Sequence, residues 1–336
     1  MKGPIKLVCV ANPSAYASSF SGVPSFHQRL AKDPRFELYH LPTDELRDAD
    51  PLPTRRVPRS FVAADFAHLD VLPLTPLACA QVDLALCRTL KPLPPDYMRR
   101  LSALGARVPF VNAPAGIARH LELDFAWSVI APHAPEGLVV RTPERGEAFS
   151  RAHPSFVVKR GNSCGGKGVY RVHRVGEELL VEGLQLAPER VADVRALLER
   201  LCQRPDEPLL FMRYLPRVRE GDLRVFVLGE QVIGAVLRKN PSSWIQNLSS
   251  GGAAFEHPVP DEIRRVIAAT APTYAKLGLL MLGYDFLRDG SGRWLLSELN
   301  AGNIGGYVAL ERVSGSPVVG RVIDALVSRS AQLRAR

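Results

Sequence analysis

The sequence predicts a mixed α/β fold: an N-terminal parallel-sheet α/β domain followed by two α+β units. Three observations carry that prediction. Strands alternate with helical segments over the first third, a glycine-rich loop joins two strands in the middle, and two apolar strand pairs closed by short turns dominate the last third.

In the first third, Ile5 to Ala11 is an apolar run that ends at Asn12-Pro13, as a buried strand entering a loop would. Phe26 and Leu30 have helical spacing, Asp33-Pro34 interrupts it, and Phe36 to Tyr39 reads as a second strand. Asp48 to Arg59, rich in Pro and charge, reads as an exposed connection. Val82 to Cys87 and Val108 to Asn112 are two more strands around a helix, Asp96 to Leu104, closed by Gly105. This alternation implies a mostly parallel sheet, and we assign residues 1–112 to the first domain.

A second unit, 113–208, holds a helical stretch through Trp127, the strand Phe156 to Lys159, the glycine loop, the strand Gly168 to Val172 and a helix from Glu189 to Cys202. The third, 209–336, opens with a hairpin, Leu223 to Leu228 and Gln231 to Leu237 around Gly229-Glu230. A helix from Asp261 to Leu277 follows, then the strands Met281 to Leu287 and Trp294 to Leu299, and a closing helix from Pro317 to Ala331.

Composition excludes several classes. Of 336 residues, 46% are hydrophobic and 23% charged, as in ordinary globular chains. Apolar runs fall far short of the ~20 residues of a membrane span, and the first residues lack a signal-peptide pattern. The expectation is a soluble, cytoplasmic protein with no membrane partner. The net charge of +9 comes mostly from Arg, scattered among acidic residues without basic blocks or interleaved aromatic residues, which argues against a nucleic-acid partner. It suits a small, phosphate-bearing substrate. The five cysteines form no C-x-x-C pair, so neither zinc nor a disulfide framework is expected. His120, His153, His173 and His257 are isolated and read as surface or capping residues.

Three constellations carry chemistry. In the first, a strand delivers Lys159 ahead of Cys164-Gly165-Gly166-Lys167-Gly168. Glycines let consecutive N–H groups approach phosphate oxygens, although an ordinary hairpin would show the same pattern. Cys164, among basic residues, is either a low-pKa thiol or a plain loop residue. In the second, Asp285 on one strand faces Glu298 and Asn300 on the next, the last two sharing a face. Three hard oxygen donors suit Mg²⁺ carrying nucleotide phosphates, or Mn²⁺ in its place, the alternative being a solvated sheet face. In the third, Arg224 and Arg238 come from adjacent strands and present planar forks for anions. Asn247-Leu248-Ser249-Ser250-Gly251-Gly252 supplies a loop able to close over them, and Trp244 in that polar stretch is a candidate substrate contact.

The order of these pieces resembles prokaryotic glutathione synthetase, a member of the ATP-grasp superfamily, from about Val82 to Leu326. The matching residues are Val157-Val158-Lys159, Cys164 to Gly168, Arg213-Tyr214-Leu215-Pro216, Gly221 to Val225, Asn247 to Gly252, Gly283-Tyr284-Asp285, Ser297 to Asn300 and Gly320 to Leu326. The resemblance implies an ATP-grasp fold in which two α+β subdomains hold ATP, with 113–208 as the lid and 209–336 as the catalytic subdomain. It implies that Lys159 contacts the nucleotide and that Gly165, Gly166, Lys167 and Gly168 cover its phosphates. Arg213, Tyr214 and Leu215 would form the adenine hinge, with Asp222 nearby. Asp285, Glu298 and Asn300 would hold Mg²⁺, and Arg224, Arg238 and Asn247 would stabilise phosphoryl transfer. The activity implied is ATP-dependent carboxylate–amine ligation through an acyl phosphate, on an amino acid or small peptide. An ATP-grasp phosphotransferase, or a nucleotide-binding regulator without ligation, is the alternative, and a homo-oligomer is compatible with either. Three stretches depart from the family. Asn12 to Phe26 has no match to its peptide-binding part. Arg119 to Phe125 has no Lys where a nucleotide-binding one usually stands, so that either Arg119 substitutes or the contact is lost. Ser243-Trp244-Ile245-Gln246 replaces an acidic and a basic residue, implying a less charged acceptor.

Overall fold

The computed structural model describes residues 3–16, 22–161, 163–204, 206–246 and 251–334. Three sheets follow one another along the chain. The first contains β1 (Ile5–Ala11), β2 (Phe36–Pro42), β3 (Arg55–Arg56), β4 (Leu84–Arg88) and β5 (Phe110–Val111) in the order β3-β2-β1-β4-β5. β1 pairs in parallel with β2 and β4, and β4 with β5, while the short β3 runs antiparallel at the edge. The parallel sheet is thus as expected, with α1 (Gly22–Lys32) and α2 (Tyr97–Gly105) beside it. Asp48 to Arg59 differs from the exposed connection expected: Leu52, Thr54 and Val57 are buried, and the segment supplies β3. Its prolines and charges masked three inward-facing side chains.

α3 (Pro114–Leu121) and α4 (Leu123–Ile130) lead to the second, antiparallel sheet. It comprises β6 (Gly137–Val140), β7 (Ser155–Arg160), β8 (Val169–Val175), β9 (Glu178–Gly183), β10 (Leu186–Val191) and β11 (Leu209–Arg213), in the order β10-β9-β8-β7-β11-β6. α5 (Pro143–Ala152) and α6 (Val194–Leu201) cover one face. The helix expected from Glu189 to Cys202 begins only after Asp193, whose side chain caps it by accepting from the Ala196 N–H at 2.9 Å; Glu189 to Val191 is strand. β11, placed by its sequence position at the start of the third unit, pairs with β7 and β6 in this second sheet.

The third sheet is antiparallel: β12 (Asp222–Leu228), β13 (Gln231–Lys239), β14 (Ala253–Glu256), β15 (Met281–Arg288) and β16 (Trp294–Asn300), in the order β14-β13-β12-β15-β16. α7 (Asp261–Lys276) backs it, and α8 (Tyr307–Ser314) and α9 (Val318–Arg334) close the chain. Among the described residues, no helix is long and apolar enough to cross a membrane.

Packing couples the first and third sheets. Leu223, Val225, Tyr284 and Phe286, on alternate positions of β12 and β15, share one core with Val8, Val10 and Ala85 of the first sheet and with Ile263 and Ile267 of α7. On the other side, Val319, Val322 and Leu326 of α9 join Leu7, Phe26 and Leu86 in a second core. The second sheet keeps its own core, of Phe156, Val172, Leu197, Phe211 and their neighbours. Separate packing is what a lid needs in order to move as a unit.

Asn112, fully buried, ties the first sheet to the third. Its Nδ2 donates to Met281 O at 2.7 Å and Ala301 O at 2.5 Å, and Met281 N–H donates to its Oδ1 at 2.7 Å. Asn112→Ala strands one buried donor and two acceptors, so urea unfolding should show a loss of about 2–4 kcal/mol. His27, buried on α1 against the Phe66 ring at 4.7 Å, has its imidazole pushed down to about 3, first by burial and then by the Arg88 charge. The unfolded chain protonates this histidine near 6.5 while the folded chain does not, so stability falls as pH drops through that window. Between pH 7 and 5 this group alone should cost about 2 kcal/mol. His27→Phe should flatten the pH dependence of urea midpoints by that amount.

Candidate active site

One face of the third sheet collects charged side chains from four neighbouring strands. Asp222 on β12 lies opposite Arg238 on β13, Arg224 on β12 opposite Asp285 on β15, and Asp285 opposite Glu298 on β16. The period-two alternation that sends Leu223, Val225 and Tyr284 into the core sends Asp222, Arg224 and Asp285 the other way. A β-bulge decides the last pairing. Asp285 faces Glu298 but Phe286 faces Leu296, leaving Ser297 as the extra residue. Glu298 and Asn300 share that face beyond the bulge, as their spacing predicts.

Asp285 is 3% exposed. Its two oxygens accept from Arg224 Nε and, at 2.6 Å, from Arg224 Nη2, a bidentate fork. Arg238 Nη2 lies 2.9 Å from Asp285 Oδ1 and 2.7 Å from Asp222 Oδ2. Asn300 Nδ2 donates to Asp285 Oδ2 at 3.4 Å. Burial works to raise the Asp285 pKa, but the Arg224 and Arg238 charges outweigh it and hold the carboxyl below its ordinary range. Asp222 goes the other way: burial and the Asp285 charge raise it against the pull of Arg238. Gly283, opposite Asn300, leaves room for the fork, because a Cβ there would lie 3.1 Å from Arg224 Nη1.

The second sheet reaches this face through Lys159 of β7, whose Nζ donates to Ser297 O at 2.6 Å, the carbonyl exposed by the bulge. The glycine loop follows β7. Gly165 and Gly166 have φ of 66° and 81°, and a Cβ on Gly168 would fall 2.2 Å from Ser163 Oγ, so glycine is required there. Cys164 Sγ donates to Lys91 O at 3.0 Å, and burial pushes its thiol up; it is a loop residue, not a low-pKa thiol.

Arg213 ends β11, where its N–H donates to Glu136 O at 2.8 Å; Tyr214 N–H donates to Ser155 O at 3.2 Å, and Leu215 is buried. The Arg171 guanidinium lies 5.6 Å from the Tyr214 ring and 5.8 Å from that of Trp244, so Trp244 packs toward β8 of the second sheet. Gln246 braces the Trp244 segment by accepting from Asn240 N–H at 2.8 Å and donating to Ser243 O at 2.7 Å. Gly251 and Gly252 lead into β14, whereas Asn247, Leu248, Ser249 and Ser250 lie outside the described residues.

Other residues stand differently from their sequence expectation. Arg119 pairs with Glu122 and stacks over the Phe125 ring at 4.6 Å, so it is engaged within its own helical segment. His120 is not a surface residue: it packs edge-on to Tyr274 at 5.5 Å, and burial lowers its pKa to about 3. Sequence reasoning also missed a cluster beside the site. Arg88, at the end of β4, donates to Ile304 O at 2.6 Å and Asn303 Oδ1 at 3.1 Å, and Tyr16 bonds both Arg88 O and Asn303. The only cue was that β4 ends on an Arg, at the carboxyl edge of a parallel sheet where ligands gather.

Among the described residues, no three His, Cys, Asp or Glu side chains converge on one point. A cation at this face would meet at most two carboxylates, Asp285 and Glu298, with the Asn300 amide beside them. That set fits Mg²⁺, which takes one or two carboxylates and completes its shell with phosphate and water oxygens, better than a cation needing an all-protein cage.

Residues 125–314 match the ATP-grasp domain of prokaryotic glutathione synthetase. The chain belongs to that family. It is an ATP-grasp ligase that forms carbon–nitrogen bonds. Glutathione synthetase of Mesorhizobium japonicum is 23% identical over 327 residues, covering 96% of this chain and 95% of that one. The enzyme of Prochlorococcus marinus is 29% identical over 261 residues, 76% of each chain. Among solved structures, D-cycloserine synthetase DcsG superposes with a TM-score of 0.64 at 13% identity over 97% of this chain and 99% of that one. D-alanine–D-alanine ligase from Bacillus anthracis, complexed with ATP, gives 0.58 at 12% identity over 99% of each. The expected ATP-grasp fold is thereby borne out. Like its family, the ligase uses ATP and Mg²⁺.

Arg238 is the shared counter-charge of two buried carboxylates. Arg238→Leu leaves Asp222 and Asp285 with a single guanidinium between them, and should cost about 3–5 kcal/mol in denaturant unfolding.

Proposed function

We propose that this ATP-grasp ligase activates the carboxylate of an amino acid or small peptide as an acyl phosphate and joins it to an amine. The observation that carries the reading is the meeting of Lys159, from the second sheet, with the Arg224–Asp285–Arg238 row of the third. Cations are thus gathered from two separately packed units around one anionic site.

In this reading the donor carboxylate oxygen bonds to the γ-phosphorus of ATP, the bond to the bridging oxygen breaks, and ADP leaves with the electron pair. The amine then attacks the acyl carbon, phosphate departs, and the amine proton passes to solvent. Lys159 and the Gly165–Gly168 loop hold the phosphates, with Lys167 at the loop's tip. The Arg213-Tyr214-Leu215 segment and Asp222 border the base and ribose. Arg224 and Arg238 counter the negative charge that spreads over the transferred group, and Asn247 is assigned to the same task by its place in the sequence motif. Asp285, Glu298 and Asn300 would hold Mg²⁺, which would supply further neutralisation of phosphate charge, while Arg224 and Arg238 keep the buried Asp285 carboxylate compensated.

The acceptor side supports a substrate other than that of the glutathione synthetases. Trp244 lies against Arg171, and Ile245 and Gln246 are buried, so this stretch presents an aromatic face in place of a pair of charges. Ser249, Ser250, Gly251 and Gly252 complete the substrate loop.

The test is ADP release across pairs of carboxylates and amines, with the amide identified by mass. Release should require both partners, and ADP release with a phosphorylated product and no amide would refute ligation. Glu298 is exposed and forms no ion pair among the described residues. Glu298→Gln should therefore leave thermal stability unchanged while lowering kcat by about 100-fold.

A further inference from the structure

Lys91 enters none of the roles above. It follows β4, two residues beyond Thr89, in the segment where the first sheet meets the glycine loop: its carbonyl accepts from Cys164 Sγ at 3.0 Å. Its side chain is half-buried, and desolvation lowers its pKa against the opposing charges of Glu298 and Cys164. Its charge also adds to the burial that lowers His120. Among the described residues it makes no hydrogen bond or ion pair. An ammonium so placed carries an uncompensated desolvation cost, which an anion in the cleft would remove. Three arginines of the N-terminal and third units are already committed, Arg88 to Asn303 and Ile304, Arg119 to Glu122 and Arg224 to Asp285.

We propose that Lys91 contacts the γ-phosphoryl group of bound ATP, reaching it from the N-terminal domain opposite Lys159. The inference rests on the ligase reading for its site but is tested without turnover. Lys159 enters from the second sheet and Lys91 from the first, while Glu298 belongs to the third. A phosphoryl group beside Glu298 thus lies where all three units converge, and Lys91 makes the N-terminal domain part of the phosphate site. A lysine suits this position because it acts as a point charge that tolerates movement of the group during transfer, whereas a planar fork would hold it in one orientation.

The experiment is calorimetric titration of the full chain with Mg²⁺·AMPPNP and, separately, Mg²⁺·ADP, for wild type, Lys91→Gln and Lys91→Arg. Lys91→Gln should weaken AMPPNP by about tenfold, or about 1.4 kcal/mol, and leave ADP within about twofold of wild type. Lys91→Arg, which restores the charge, should recover most of the loss. An unchanged ratio of AMPPNP to ADP affinity, or equal weakening of both, would overturn the proposal. If Lys91→Gln melts below the assay temperature, Lys91→Met, which keeps the buried stem, is titrated in its place with the same two outcomes. Should wild type show no amine-dependent ADP release, the ligase reading fails by itself, and the nucleotide ratio still decides the role of Lys91.

Discussion

The site depends on the burial of a single carboxylate. Asp285 is removed from water on a strand whose neighbours are otherwise apolar, and it stays charged because guanidiniums from two other strands surround it. An isolated carboxylate at that depth would take up a proton or force the sheet open. The compensation sets much else around it. It draws on Arg224 and Arg238 from adjacent strands, the room left by Gly283 and the bulge that brings Glu298 opposite Asp285. The desolvation that makes the row costly also makes it effective, since charges in a low-dielectric cleft act strongly on any anion placed between them.

The packing of the three sheets explains how such a row can serve a reaction. The first and third sheets share two continuous cores and are clamped by Asn112, so Arg88, Lys91 and the charged face form one rigid surface. The second sheet has its own core on one face, its other face packs through Val139, Leu210 and Met212 on Trp127, and its glycine-loop end meets that surface through polar contacts, among them Lys159 to Ser297 and Cys164 to Lys91. Contacts of this kind are exchanged at lower cost than a shared apolar core is opened.

Much of this was legible in the sequence. The two-residue spacing of Glu298 and Asn300 placed them on one strand face, and Arg224 and Arg238 were read on adjacent strands. The turn between β15 and β16 brought the two carboxylates together. Other features were hidden for physical reasons. A bulge leaves no mark in hydrophobic periodicity, so Ser297 was invisible as the carbonyl that meets Lys159. Glu189 to Val191 runs directly after Pro188 into an amphipathic helix, which absorbed it until the Asp193 cap showed where the helix begins. β11 resembles any buried strand, and only its partners, β6 and β7, show which sheet owns it. Lys91 and His120 carry no motif; their importance lies in what the fold packs around them.

The account turns on a cation joining Asp285, Glu298 and Asn300 in the company of nucleotide. Crystals grown with AMPPNP and Mn²⁺, and measured at the manganese absorption edge, would locate that cation directly. The anomalous peak should lie about 2.1 Å from a carboxylate oxygen of both Asp285 and Glu298, with at least one guanidinium contact to Asp285 released. A peak elsewhere, with Asp285 still held in the fork of Arg224, would contradict the assignment of the metal site and the mechanism built on it.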